Sequence, residues 1–485
     1  MDALSAILWM PLAAAVLILL LPASATRLIQ GVAIAGALLT FVLSWNLLSS
    51  FDQTSNAMQF VEIMPWVPEM GMTYAIGVDG ISLPMVLLTT LISLVALIAS
   101  LTIKERLKAY FAWFLALEFA ILGVFLAHDW FLFFIFFEIS LIPMFFLIGV
   151  WGDKQRTAAS MSFFLYTLAG SMLLLVGLIA AYVAAPSHSF SMDALVAANS
   201  GWSRTFQIGA FLACFIGFAV KIPAIPLHGW LPLAHVEAPV PVSMLLSAVL
   251  LKMGAYGLFR TAELFPLGFE ALAPAMLALG LLNIVYGALM AWRETDLKSM
   301  VAYSSISHMG FVLVGMSSLT ATGFSGAMMQ MFTHGLVSAA LFLLVGILYQ
   351  RLHSRAVTDV AGLYGRMPVF TMLFTLALLA SMGLPGLAGF ISEFHALVGG
   401  YERWGLIVAI AFAGIIVTAA YSMRTINSMF NGSSSTKQLG LRDLSARELA
   451  AALPLAALII GLGLIPGAAI GLISASTGPL SRLFR

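Results

Sequence analysis

From residue 2 to residue 473 the chain is a near-unbroken succession of apolar runs, each about as long as a membrane-spanning helix. Such a span takes about 20 mostly apolar residues, because the hydrocarbon layer is about 30 Å thick and a helix rises about 1.5 Å per residue. A transmembrane β-barrel is excluded, since its strands alternate in polarity over about 10 residues. Only 9% of the residues are charged, against about 25% in soluble domains. That is too little charged surface to hold such a chain in water, which excludes a soluble enzyme, a nucleic-acid binder and a disordered chain. The expected fold class is an all-α polytopic membrane protein.

The runs divide into fourteen expected spans, from 2–21 to 447–473. Asp2 stands in a leader-like stretch without Lys or Arg, so cleavage at Ala23-Ser24-Ala25 is not expected and the first helix is expected to be retained. Connections are short, which favours one packed bundle; the longest before the middle, 51–77, is acidic and free of Lys and Arg. With the N-terminus outside, 14 of the 22 basic residues fall in inside segments and 5 in outside ones. The positive-inside bias therefore places both termini on the outer side.

Two spans are interrupted. In the seventh, three prolines stand in Lys221-Ile-Pro-Ala-Ile-Pro-Leu-His-Gly-Trp-Leu-Pro232, where each removes a helix donor and crowds a preceding carbonyl. In the twelfth, the Gly/Pro-containing stretch Gly383-Leu-Pro-Gly-Leu-Ala-Gly-Phe-Ile-Ser-Glu393 is the second expected break. Each break falls in the fourth helix of a five-helix unit, helices 4–8 and 9–13. Five is odd, so consecutive units must be inverted in the membrane, a plan that puts ion sites at the breaks. The expected organisation is helices 1–3 (1–107), a first repeat (108–262), a second (272–430), and a last helix with its tail (431–485).

A charge at the centre of a span costs about 2.5–3.5 kcal/mol on insertion scales, so it marks function before anything else. Glu118 and Glu138 are mid-span; Lys221 precedes the first break, Lys252 lies in span eight, and Glu393 follows the second break. His308 and His334 add imidazoles in spans ten and eleven. These seven residues form a candidate proton-transfer series. Imidazole titrates near neutrality, burial disfavours charge on a lysine while a carboxylate beside it favours that charge, and helix breaks admit water. Each residue also has a structural reading: a static Glu138–Lys221 bridge, Glu393 as a helix cap, the histidines as packing groups. His228 and His235 suit a loop or a proton path equally, and Arg260 reads as a membrane anchor. Cys214 is the one cysteine, so no paired-thiol metal site or iron–sulfur cluster can form in the chain. No haem or dinucleotide motif is present, and the net charge of +1 predicts no polyanionic partner.

Gly77-Val-Asp-Gly-Ile-Ser-Leu83, His128-Asp-Trp-Phe-Leu-Phe-Phe134 with Phe137-Glu138, the stretch Lys221–Pro241, Leu251-Lys252-Met-Gly-Ala-Tyr-Gly257 and Asp296–His308 resemble the antiporter-like subunits of respiratory complex I. The likeness covers nearly the whole chain. It implies a proton-translocating subunit of the membrane arm of an NADH:quinone oxidoreductase in the bacterial inner membrane, with no redox centre of its own. FMN, iron–sulfur clusters and quinone would lie on partner subunits, and the antiporter-like subunits L and N would be neighbours. The family's four key proton-path positions correspond to Glu138, Lys221, Lys252 and Glu393. Glu393 stands where subunits L and N and Mrp-type antiporters usually carry lysine. A Mrp-type Na+/H+ antiporter subunit, or its counterpart in a membrane-bound hydrogenase, is the alternative.

Overall fold

A computed structural model describes residues 3–433, 438 and 440–484. Asp2, Lys437 and Arg485, which entered the leader and charge-bias arguments, lie outside the described residues. The chain opens with α1 (Ala3–Leu20) and α2 (Thr26–Asn46), then the strands β1 (Gln59–Val67) and β2 (Met72–Val78). Next come α3 (Ser82–Ala99), α4 (Leu107–Leu126), α5 (Trp130–Ile139), α6 (Leu141–Trp151), α7 (Arg156–Ala184), α8 (Met192–Ala198) and α9 (Arg204–Lys221). After α10 (Trp230–Glu237) and α11 (Val240–Leu245) follow α12 (Leu251–Leu264), α13 (Pro266–Arg293), α14 (Leu297–Ser317) and α15 (Ala321–Leu352). The remainder is α16 (Pro368–Ser381), α17 (Ala388–Trp404), α18 (Ala411–Asn431), α19 (Ala446–Leu464) and α20 (Gly467–Arg482).

Among the described residues, thirteen helical stretches are long and apolar enough to cross a membrane. Helix α16 is apolar but shorter, and α17 with α18 counts as one stretch of 44 residues joined by a 3-10 turn. Both expected interruptions are present: α9 stops at Lys221 and α10 resumes at Trp230, while α16 stops at Ser381 and α17 begins at Ala388. The protein is not wholly helical. Segment 51–77 contains most of an antiparallel hairpin, β1 against β2. Its acidic residue Glu62 is spent on α1: the carboxylate accepts from the Leu4 and Ser5 amides and the Ser5 hydroxyl. A carboxylate suits the positive end of a helix.

Several helices start where a side chain can take the first free amides. Asp129 accepts from the Phe131 and Leu132 amides at the head of α5, Asp296 from those of Lys298 and Ser299 at α14, and Thr320 from Gly323 at α15. Burial is uneven, and this positions the site. The most apolar window of α15 and that of the α11–α12 span are wholly enclosed by protein, whereas that of α2 is one-third buried. Large apolar side chains such as Leu20, Val176 and Ile416 lie exposed on the rim, as expected of a lipid-facing surface. The central helices face other helices rather than lipid, and these are the helices that carry Lys252, His308 and His334.

Candidate functional site

The first break is stitched in place by a residue the sequence reading did not single out. Asn283 of α13 accepts from the Ile225 amide at 2.9 Å and donates to the Pro223 carbonyl at 3.3 Å. The prolines leave these backbone groups without helical partners, and a buried side-chain amide supplies both. The Trp230 indole donates to the Val220 carbonyl at 2.9 Å, closing the last turn of α9. Lys221 ends there, 1% exposed, its ammonium without a hydrogen bond among the described residues. Its Nζ lies 4.8 Å from the centre of the Phe137 ring and 5.5 Å from that of Phe163. Such contacts are worth about 0.5–2 kcal/mol and hold a cation without fixing its direction.

Glu138 sits near the joint between α5 and α6, one Oε without a partner. It interacts electrostatically with Lys221 and neighbours Ser171, but the two charges form no direct ion pair among the described residues. Glu118 on α4 is fully buried beside Ser93, and neither oxygen has a hydrogen-bond partner among the described residues. The aromatic run around Glu138 is packing: Phe133, Phe134, Phe136 and Phe137 are buried.

Lys252 lies just beyond a π-helical turn, Leu246–Leu250. Widened turns of this kind are frequent at functional sites, and here the turn leaves the Ser247 carbonyl open to Lys252 Nζ at 2.6 Å. The same Nζ meets His334 Nδ1 at 2.6 Å. Gly254, two residues on, lets α12 approach α9: a Cβ there would come within 2.8 Å of the Phe218 carbonyl and 3.0 Å of Lys221 Cβ. His334 Nε2 is buried without a hydrogen-bond partner among the described residues, and its ring centre is 5.4 Å from that of His308. His308 uses both nitrogens: Nδ1 meets Glu393 Oε1 at 3.1 Å and Nε2 meets Ser381 Oγ at 3.0 Å. A cavity of about 10 Å³ is lined by His308, His334, Gln330, Thr333, Ser381 and Glu393 among others. That is close to the space one water requires.

Glu393 lies beyond the first turn of α17 and bonds His308, so it does not cap the half-helix. On its other side is a groove of about 440 Å³ walled by apolar residues including Phe390, Phe394, Leu406 and Phe412. Gly383 in the second break has φ +75°, a conformation costly for residues with a side chain. A Cβ there would also lie 2.8 Å from Glu393 Oε2. The structure thus brings Lys252, His334, His308 and Glu393 into one chain, sets Lys221 and Glu138 beside its start, and leaves Glu118 apart in α4.

Toward the end rich in basic residues, His235 is fully buried, stacked 4.7 Å from Phe342, and neither nitrogen has a hydrogen-bond partner among the described residues. It feels the charges of Lys252 and Lys298. Lys298 is buried too, donating to the Val236 and Ala238 carbonyls, and it lines a cavity of about 180 Å³ with Asp153, Tyr349 and Arg355. His235 is therefore no loop residue.

Arg260 also departs from expectation. It is 5% exposed and pairs with both oxygens of Asp79, at 2.7 and 2.8 Å, while its Nε donates to the Tyr256 hydroxyl. It is a buried clasp rather than a membrane anchor. Burial works to raise the Asp79 carboxyl, but Arg260 and the Ser82 and Ile81 amides outweigh it and hold the group below the usual carboxylate range. The acidic residue in Gly77-Val-Asp-Gly was the available signal; which arginine it would meet, 181 residues away, was not readable.

These observations define a polytopic helical membrane protein with an ionisable axis through its centre and broken helices beside it. A family profile described as "NADH:quinone oxidoreductase/Mrp antiporter, TM" matches residues 127–419, a range containing every axis residue from Glu138 to Glu393. The chain belongs to this family. It is 39% identical to NADH-quinone oxidoreductase subunit M of Rhodobacter capsulatus, covering 99% of this chain and 96% of that one. A chain of respiratory complex I from Thermus thermophilus superposes with a TM-score of 0.91 at 30% identity, all of each chain covered. A chain of the Mrp complex from Dietzia sp. DQ12-45-1b shares the fold, with a TM-score of 0.86 at 21% identity over 100% and 99% of the two chains.

Proposed function

We propose that this chain acts as the proton-translocating subunit that relatives call M, in an NADH:quinone oxidoreductase of a bacterial inner membrane. The observation that carries this reading is the polar series Lys252–His334–His308–Glu393, with its 2.6 and 3.1 Å contacts on either side of a water-sized gap. Quinone reduction in other subunits alters the field along the membrane. Movement of Glu138 relative to Lys221 then changes how firmly that lysine holds its proton. Because Lys221 has aromatic neighbours and no hydrogen bond, its ammonium is free to reorient toward Lys252. Protons pass from Lys252 through the two histidines to Glu393 and leave on the outer side. Moving one charge against the membrane potential costs about 2.3 kcal/mol per 100 mV, supplied by the redox partners.

The same reading includes fourteen spans, with α16 and α17 forming the twelfth, and two inverted five-helix repeats, 108–262 and 272–430. Both termini lie outside. Subunits L and N are its neighbours, and FMN, iron–sulfur clusters and quinone sit on other subunits. The test is Glu138→Gln and Lys221→Ala in the assembled complex. Both variants are expected to abolish most proton-coupled quinone reduction while leaving subunit content unchanged, as measured by NADH oxidation and vesicle acidification. Unimpaired coupled turnover in both would refute the reading.

A further inference from the structure

Lys252, Tyr256 and Arg260 stand at successive turns of α12, and all three are buried. Side chains four apart share a helix face, and at about 1.5 Å per residue Tyr256 and Arg260 stand about 6 and 12 Å beyond Lys252. The membrane stretch Val240–Leu264 begins next to the Ala238 carbonyl that Lys298 holds and ends beside Arg260. The row therefore leads from Lys252 to the face of the membrane opposite Lys298. The Tyr256 hydroxyl donates to the Phe125 carbonyl of α4 at 3.2 Å and accepts from Arg260 Nε at 3.0 Å. Its ring stands edge-on to Phe125, with centres 5.2 Å apart, and 6.3 Å from Phe133. Arg260 pairs through Nη1 and Nη2 with Asp79, whose Oδ1 also accepts from the Ile81 and Ser82 amides at the head of α3. The next residue, Gly80, donates its amide to Ser476 of α20 at 3.0 Å, and a Cβ on it would come within 2.4 Å of the Leu472 carbonyl. Four helices are thus tied together beyond Lys252 by direct hydrogen bonds around one buried ion pair. Packing alone gives no reason for that pair, since apolar residues of like volume often stabilise as much or more.

We propose that Arg260, held by Asp79, is a seal that closes the outer end of α12 to protons on Lys252 and so directs them to Glu393. The proposal rests on the proton-translocating reading above. A proton hops only where the next group offers a lone pair. The Tyr256 oxygen already accepts from Arg260, and its own proton is committed to the Phe125 carbonyl. The guanidinium beyond it has five donors, no acceptor, and keeps its protons. It stands between Tyr256 and Asp79, so the first charge on the way out from Lys252 is positive and opposes an approaching proton, as a fixed arginine does in a selective pore. Asp79 sets the orientation of the fork. Glu393 is the opposite case: a water-sized cavity lies on its His308 side and a groove of about 440 Å³ on the other. The axis is thus closed beyond Lys252 and has room at Glu393.

The test uses the complete complex in proteoliposomes, with an imposed potassium diffusion potential to drive protons and a trapped pH dye to read passive leak. The double variant Asp79→Asn with Arg260→Gln removes both charges and keeps side chains that can bond each other. It is expected to oxidise NADH at about the parental rate while passive proton leak rises several-fold. Arg260→Lys, which keeps a positive group without an acceptor, should stay tight. Tyr256→Phe keeps the ring but frees Arg260 Nε, and should leak less than the double variant yet more than the parent. Adding Lys252→Met to the double variant should remove the extra leak, because the route starts at that lysine, whereas merely loosened packing would leak regardless. Parental tightness of the assembled double variant would overturn the seal, as would a leak that survives Lys252→Met or an equal leak in Arg260→Lys. If the double variant does not assemble, parental tightness of Tyr256→Phe overturns it. If Glu138→Gln and Lys221→Ala pump normally, the proton-translocating reading itself fails; if they are impaired and the double variant is tight, only the seal fails.

Discussion

The two broken helices end in opposite chemistry. At the first, Lys221 has two aromatic rings beside it and, among the described residues, no hydrogen bond. At the second, Glu393 is hydrogen-bonded to His308, whose far nitrogen is held by Ser381. The backbone is treated in opposite ways too. Asn283 ties down the first break from outside the helix, whereas the second relies on glycines with φ +75° and +92°. A cation held by rings can swing, because the attraction is broad in direction, while a carboxylate hydrogen-bonded to a histidine, here at 3.1 Å, is registered to that partner. The contrast points to a mobile donor half and a fixed acceptor half, joined where Lys252 meets His334.

Cutting the joint has the largest expected effect. Lys252→Met removes the bonds to Ser247 and His334 while preserving apolar bulk, and should abolish most vesicle acidification at unchanged assembly; retained acidification would dissolve the division into halves. Next is the acceptor break. Gly383→Ala forces a side chain into the left-handed region, at about 1–3 kcal/mol, and crowds Glu393 Oε2. It should lower both thermal stability in detergent and coupled turnover. The donor break gives the counterpart: Asn283→Leu leaves the Ile225 amide and Pro223 carbonyl unpaired, for about 1–3 kcal/mol. If the halves differ as described, its melting temperature should fall with a smaller loss of coupling than in Gly383→Ala. The smallest change is Phe137→Leu, which removes one ring from Lys221 at about 0.5–2 kcal/mol. A partial fall in turnover without loss of stability is expected, and an unchanged rate would show that the ring does not guide the lysine.

Much of the axis was readable because the membrane penalises mistakes. Lys221, Lys252 and Glu393 stood out as charges within apolar runs, and prolines or glycines beside two of them marked the breaks. Other parts were hidden. Lys298 resembled an inside-flanking charge and Arg260 an anchor, yet both are buried by helices distant in sequence. Asn283 and Ser381 carry no charge, so nothing in a hydropathy pattern separates them from the many neutral polar residues that only bond their own helix backbone, as Thr89 and Thr167 do. The hairpin 59–78 escaped notice because its strands, Gln59–Val67 and Met72–Val78, show no regular alternation of polar and apolar residues or of burial.

By itself the sequence determined that the chain must cross a membrane many times as helices, and that the charged groups within those spans must face the bundle interior, because lipid offers neither hydrogen bonds nor solvation. Tertiary structure alone decided which of those groups meet. A hydrogen bond acts over about 3 Å, whereas Lys252 and His334 are 82 residues apart and His308 and Glu393 are 85. Only the packing of α12, α14, α15 and α17 brings them within that reach.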